Sequence, residues 1–101
     1  MRILTGVTTI ALVGASPRAD RDSYLTMRVL LERGYTVFPV NPRETGNKIL
    51  GQECYESLSS ISQAVDMVDI FRSSDAALEI TKEAISIGAK GVWMQLEIVN
   101  Q

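Results

Sequence analysis

Ile10-Ala11-Leu12-Val13-Gly14-Ala15-Ser16-Pro17 is the stretch that decides the fold of this chain. An apolar run with β-branched residues stops at a glycine, and small residues and a proline follow. Arg21, Asp22, Ser23 and Tyr24 then lead into a helical pattern, with Tyr24, Met27, Leu30 and Leu31 three or four residues apart on one face. The order is strand, tight turn, helix. Such a turn offers free backbone N–H groups and the positive end of a helix dipole, an arrangement suited to phosphate. It predicts a nucleotide binder of the doubly wound class.

Working outward, residues 9–13 form a first strand, as continuously apolar as burial on both faces requires. The helix covers residues 23–33 and Gly34 closes it. Residues 35–40 are a second strand, and Asn41-Pro42-Arg43 is the loop that leaves it. Residues 45–50 read as a loop marked by Gly46 and Gly51, and residues 57–62 as a short turn or helix anchored by Leu58 and Ile61. A third strand over residues 65–71 contains Asp66 and Asp69. Ser73, Ser74 and Asp75 offer caps for a helix over residues 76–87, which Gly88 ends. Residues 91–96 are a fourth strand carrying Trp93 and Met94. This β-α-β-α-β-α-β order, with an irregular second crossover, predicts a Rossmann-like α/β fold: one three-layer αβα domain around a doubly wound parallel sheet. Ligands in such sheets bind beyond the carboxyl ends of the strands, where strand order reverses.

Composition narrows the function. A chain of 101 residues with 46% hydrophobic and 22% charged residues is ordinary for one globular domain. No apolar run reaches the ~20 residues of a membrane span, and residues 1–9 lack a signal-peptide pattern, so a cytoplasmic location with no membrane partner is expected. Cys54 is the only cysteine and histidine is absent. That excludes an intrachain disulfide, multi-Cys zinc, histidine ligands and histidine-dependent nucleophiles. Residues 1–48 hold seven basic and four acidic residues, a net +3, whereas residues 49–101 carry a net −5. The positive half contains the phosphate-loop candidate, which fits a small anionic ligand. A nucleic-acid surface needs a stronger basic excess with aromatic stacking residues beside it, so no nucleic-acid partner is expected.

The dinucleotide fingerprint requires G-x-G-x-x-G and a later carboxylate for the adenosine ribose. Here only Gly14 is in place, Ser16 and Ala19 standing at the other two glycine positions. The second strand ends in Val40-Asn41-Pro42-Arg43, with no carboxylate, and no Walker lysine motif is present. These features count against NAD and ordinary ATP hydrolysis. They suit a nucleotide whose adenosine ribose carries a phosphate, which leaves coenzyme A and NADP. Asp66 reads as a strand-end cap and Asp69 as a structural acceptor, since a spacing of three puts them on opposite strand faces. Cys54 is a half-buried small residue or a thiol facing that of a ligand. Phe71, Trp93 and Met94 have ordinary readings as packing residues.

Val13-Gly14-Ala15-Ser16-Pro17, Arg21-Asp22-Ser23-Tyr24, Gly34-Tyr35, Pro39-Val40-Asn41-Pro42, Val68-Asp69-Ile70-Phe71-Arg72 and Trp93-Met94-Gln95-Leu96 resemble the bacterial CoA-binding domain family of small YccU-like proteins. That family in turn is similar to the CoA-binding domain of the succinyl-CoA synthetase α subunit. The resemblance covers nearly the whole chain, with its blocks in order. It implies a non-catalytic module for coenzyme A or an acyl-CoA; an NADP-type oxidoreductase and a remnant subunit of an acyl-CoA ligase are the alternatives. Carried over by motif, Gly14, Ala15 and Ser16 contact phosphate through backbone N–H groups. Val40 and Asn41 lie against the adenosine end with Arg43 near a phosphate. Phe71 and Arg72 flank the nucleotide, and Arg21 and Ser23 are further candidates. Two departures stand out. Glu97 occupies a position where the family has glycine, and the family pattern continues past Asn100 with a further helix and strand. Residues 1–101 are therefore expected to be one CoA-binding domain lacking that last unit, with the fourth strand left as an open edge and self-association as the consequence.

Overall fold

A computed structural model describes residues 8–72 and 74–94. The main sheet has four parallel strands: β1 (Thr9–Val13), β2 (Thr36–Val40), β5 (Met67–Ile70) and β6 (Gly91–Met94). Their spatial order is β2-β1-β5-β6. The chain moves from β1 outward to β2, then crosses back to β5 on the other side of β1. Strand order thus reverses between β1 and β5, and a crevice opens at their carboxyl ends.

Helix α1 (Asp22–Glu32) links β1 to β2, and α2 (Ser74–Ser86) links β5 to β6. Alternation along β1 assigns them to opposite faces. Ile10 and Leu12 pack with Met27 and Leu30 of α1. Ala11 and Val13 pack with Ala77 and Ala84 of α2. These four β1 residues are buried, as are all of β5; β1 therefore reads as an unbroken apolar run, whereas β5 carries the fully buried Asp69 within its own. Full burial of side chains such as Leu12, Ile10 and Ile70 contributes about 1.5–3 kcal/mol each. The parallel αβα architecture expected from the sequence is the one observed.

The irregular crossover holds structure that the sequence did not announce. After a 3₁₀ turn (Pro42–Glu44) comes a small antiparallel hairpin, β3 (Lys48–Ile49) and β4 (Gln52–Glu53), where a loop was expected. Its turn places Leu50 at φ 51° and Gly51 at φ 82°, the two positive values that a tight hairpin demands. Leucine at the first of these positions gives none of the usual Asn-Gly signal. The chain then runs past β2: Tyr55 donates its N–H to Pro39 O (2.9 Å), and Asn41 donates to Tyr55 O (2.9 Å). Pro39 is tolerated inside β2 because β2 is the edge strand of the main sheet.

Residues 58–60 form a single 3₁₀ turn whose Leu58 is buried. Its first turn is held by Glu83 of α2, which accepts from Ser59 N–H (3.1 Å) and Ser59 Oγ (2.6 Å). The capping side chains expected at residues 73–75, and the departures noted at residue 97 and beyond, lie outside the described residues.

Candidate functional site

Three loops meet over the crevice. The Gly14 turn leaves β1, residues 41–43 leave β2, and Phe71 and Arg72 leave β5. Together with Arg21 at the start of α1 they line a cleft of about 420 Å³, within the ~300–1,000 Å³ range of small-molecule sites. Of the residues singled out by sequence, Gly14, Ala15, Ser16, Arg21, Asn41, Arg43, Phe71 and Arg72 are brought together there, and Pro42 joins them.

Gly14 is fixed by geometry. Its φ is +89°, and a Cβ at this position would stand 2.2 Å from the Phe71 carbonyl oxygen and 3.0 Å from Arg72 Cδ. The turn therefore packs directly on the end of β5, and the missing side chain serves that contact. Phe71 is anchored in return, since its N–H donates to Val13 O at 2.7 Å. Phe71 is buried in the core cluster that holds Ala15 and Met27 while it also lines the cleft.

Of the three turn amides that the resemblance assigns to phosphate, two are engaged within the chain. Gly14 and Ala15 both donate to Val40 O, at 2.9 and 3.3 Å. The Ser16 N–H has no partner among the described residues. The Ser16 hydroxyl accepts from Arg18 N–H at 3.1 Å. Further free donors come from α1. Its N-cap, Arg21, is extended (φ −88°, ψ 144°) and makes no side-chain cap, so the amides of the first turn lack a capping acceptor.

Val40 and Ser23 do not line the cleft. The Val40 side chain is buried on the α2 face, and its carbonyl is taken by the Gly14 turn. Ser23 is buried within α1. Asn41 faces the cleft, yet its side chain is already used: its Oδ1 accepts from Arg43 N–H (2.9 Å) and its Nδ2 donates to Ala15 O (2.7 Å). Sequence reasoning passed over Pro42 as a turn residue; the Asn-Pro pair was the available signal.

Charge is the other feature of the cleft. Arg21, Arg43 and Arg72 are exposed, and none forms an ion pair among the described residues. No carboxylate belongs to the described lining. The nearby Asp20 is turned to Arg18 instead (3.4 Å). Cys54 lies behind the cleft and is buried. Its Sγ donates to Asn41 O (3.6 Å), and burial pushes its thiol pKa up, so it is a poor thiolate. Among the described residues no group of His, Cys, Asp and Glu suits a metal ion, and no helix is long and apolar enough to cross a membrane.

A parallel αβα sheet with a switch-point crevice, a glycine turn over it and three arginines outside any ion pair among the described residues defines a Rossmann-like α/β domain. Residues 8–101 match the family described as CoA binding domain, and the chain belongs to that family. It is 34% identical over 99 residues to the uncharacterized protein YneT of Bacillus subtilis, covering 98% of this chain and 72% of YneT. The fold superimposes on a hypothetical protein from Pyrococcus horikoshii OT3 with a TM-score of 0.82 and 44% identity, over 88% of this chain and 61% of that one. A third relative is acetate–CoA ligase [ADP-forming] II of Archaeoglobus fulgidus, 31% identical over 85 residues, where the match covers 82% of this chain but only 12% of the ligase.

Proposed function

We propose that the cleft binds coenzyme A or an acyl-CoA, and that the chain acts as a binding module rather than a catalyst. The observation that carries this reading is the convergence of Arg21, Arg43 and Arg72, free of ion pairs among the described residues, on a lining without a described carboxylate. Three exposed cations at one crevice suit a ligand with phosphates in two places. Coenzyme A brings a pyrophosphate and a ribose 3′-phosphate. In this reading the Ser16 N–H, the α1 amides, Arg21 and Arg72 take the pyrophosphate, at the positive end of the helix dipole. Arg43, at the end of β2, takes the ribose phosphate. Gly14, Ala15 and Phe71 shape the floor, while Val40, whose carbonyl holds the Gly14 turn, and Ser23, buried within α1, support it from behind. Membership of the CoA binding domain family and the ligase relative favour CoA over NADP. A ligase subunit remains the second reading on the strength of that relative, with its chemistry then residing in other parts of the assembly.

Isothermal titration with CoA, dephospho-CoA, NADP and NAD tests the proposal. CoA is expected to bind most tightly and dephospho-CoA at least about tenfold more weakly, the worth of one charge-assisted phosphate contact. NADP binding better than CoA overturns it. The proposal extends to a cytoplasmic location, and to self-association because β6 pairs with β5 alone among the described residues and so offers an edge. A monomer by light scattering at high concentration removes that part.

A further inference from the structure

We infer that Asn41 is a positioning residue that ties the phosphate turn to the Arg43 segment, rather than a group that contacts ligand. Every polar atom of this residue is engaged within the chain. Its side-chain amide donates to Ala15 O at 2.7 Å, the shortest link between the turn after β1 and the loop after β2. Its side-chain oxygen accepts from Arg43 N–H at 2.9 Å and caps the 3₁₀ turn that carries Arg43. Its backbone N–H donates to Tyr55 O at 2.9 Å, and its carbonyl accepts from Glu44 N–H at 3.0 Å and from Cys54 Sγ at 3.6 Å. One residue thus ties together the Gly14 turn, the Arg43 turn and the segment that follows the β3–β4 hairpin.

The arrangement has a functional consequence. Gly14 and Ala15 spend their N–H groups on Val40 O, and the side chain of the next residue, Asn41, clips the Ala15 carbonyl. The end of β2 thereby holds the turn by two amides and a carbonyl, which leaves the Ser16 N–H as the turn's donor without a partner among the described residues. The same side chain sets the distance between that donor and Arg43. Spacing between two phosphate-holding points is what separates a ligand with phosphates at both from a ligand with one. Preorganising that spacing removes an ordering cost from binding.

The affinity arm of the test rests on the CoA reading of the cleft, whereas the amide-exchange arm does not. In the free protein, Asn41→Ala is expected to speed amide exchange at Arg43, Gly14 and Ala15, while amides of β5 and α1 keep their protection. Asn41→Ser retains a cap acceptor but is too short to reach Ala15 O. It is expected to restore protection at Arg43 and not at Gly14 and Ala15. For binding, both variants are expected to lose affinity for CoA about tenfold, with the preference for CoA over dephospho-CoA collapsing toward unity and the melting temperature little changed. Unchanged exchange at Gly14, Ala15 and Arg43 in a folded variant overturns the inference, as does an unchanged CoA to dephospho-CoA ratio. If Asn41→Ala fails to fold, Asn41→Ser supplies both readings. A wild-type protein that ignores CoA overturns the functional proposal alone, since the exchange pattern still decides the clip.

Discussion

At the amino end of β1 the Asp66 carboxylate is saturated by its own chain; at the carboxyl end three guanidiniums stand without a carboxylate partner among the described residues. Asp66 accepts from Thr8 N–H (2.9 Å), Thr9 N–H (3.3 Å) and Thr8 Oγ1 (3.1 Å), and Lys90 Nζ lies 3.6 Å away. These contacts pin the entry of β1 to the entries of β5 and β6. At the far end of the sheet, Arg21, Arg43 and Arg72 line the crevice, with no described acid in that lining and no described ion pair. Charges that serve the fold are closed within it. Charges kept open mark where binding energy is left for an outside group, at some cost in mutual repulsion. Substitutions at the two ends should therefore separate stability from affinity.

The largest effect is expected where the two demands meet. Gly14→Ala adds a Cβ 2.2 Å from a backbone oxygen at φ +89°, so it forces both a positive φ on an L residue and a shift of the β5 end. We expect a loss of about 3 kcal/mol or more in urea unfolding. Gly51→Ala is the control: its φ is +82° with nothing within 4 Å of the added carbon, and about 1 kcal/mol is expected. Equal costs at the two sites would mean that the packing of the turn on Phe71 is unimportant.

Arg72→Ala and Arg43→Ala come next, and they should act on binding alone. Each removes a charge that holds nothing inside the described chain, so stability should move by less than about 0.5 kcal/mol. CoA affinity should fall by roughly 10–100-fold, the worth of a hydrogen bond to a charged group. Titration calorimetry and thermal melting on the same variants check both halves. A variant that melts early and binds normally would place these arginines with the fold.

How much of this was legible beforehand differs between the two ends. The parallel sheet was readable because β1 is buried on both faces and so carries a continuous apolar run, and β5 is apolar on either side of Asp69. The cleft residues were readable as a set, since loops after parallel strands converge on one side whatever their sequence. Asp66 was readable as a strand-end cap. What escaped was hydrogen-bond traffic. No pattern shows that Val40 O consumes the Gly14 and Ala15 amides, or that the Asn41 side chain is spent on Ala15 and Arg43, because the bonds to Gly14 and Ala15 join residues 25 or 26 positions apart and end on backbone atoms every residue has. The hairpin escaped for a local reason: Leu50 sits at φ 51°, held there by its packing against the α1-side core, against its own preference.

The saturated end makes its own prediction in pH. The hydrogen bonds from Thr8 and Thr9 N–H, aided by Thr8 Oγ1 and by Lys90, lower the Asp66 carboxyl from its ordinary 3.8 to about 2. A carboxylate with a depressed folded-state pKa stabilises fully above its unfolded value. That contribution fades as pH falls from near 4 toward 2. Asp66→Asn should thus be less stable than wild type at pH 7, with the gap narrowing through that window, while CoA affinity at pH 7 is unchanged. A constant gap from pH 7 to pH 2 would show that shape, not ionisation, is what Asp66 supplies.

Lys90→Ala is the smallest expected effect and sharpens the same point. Lys90 Nζ is 3.6 Å from Asp66 Oδ1, and the lysine side chain is 70% exposed, so water and salt screen the pair. Its backbone N–H donates to Asp66 O at 2.8 Å, and that bond survives truncation of the side chain. We expect less than about 0.5 kcal/mol in urea unfolding, vanishing in high salt. The Asp66 carboxyl should stay depressed when followed by NMR titration, because two backbone amides dominate its environment. A return of that carboxyl to its ordinary value in Lys90→Ala would mean that the amino end, too, is held by an exposed ion pair, and the contrast between the two ends of the sheet would then be one of degree.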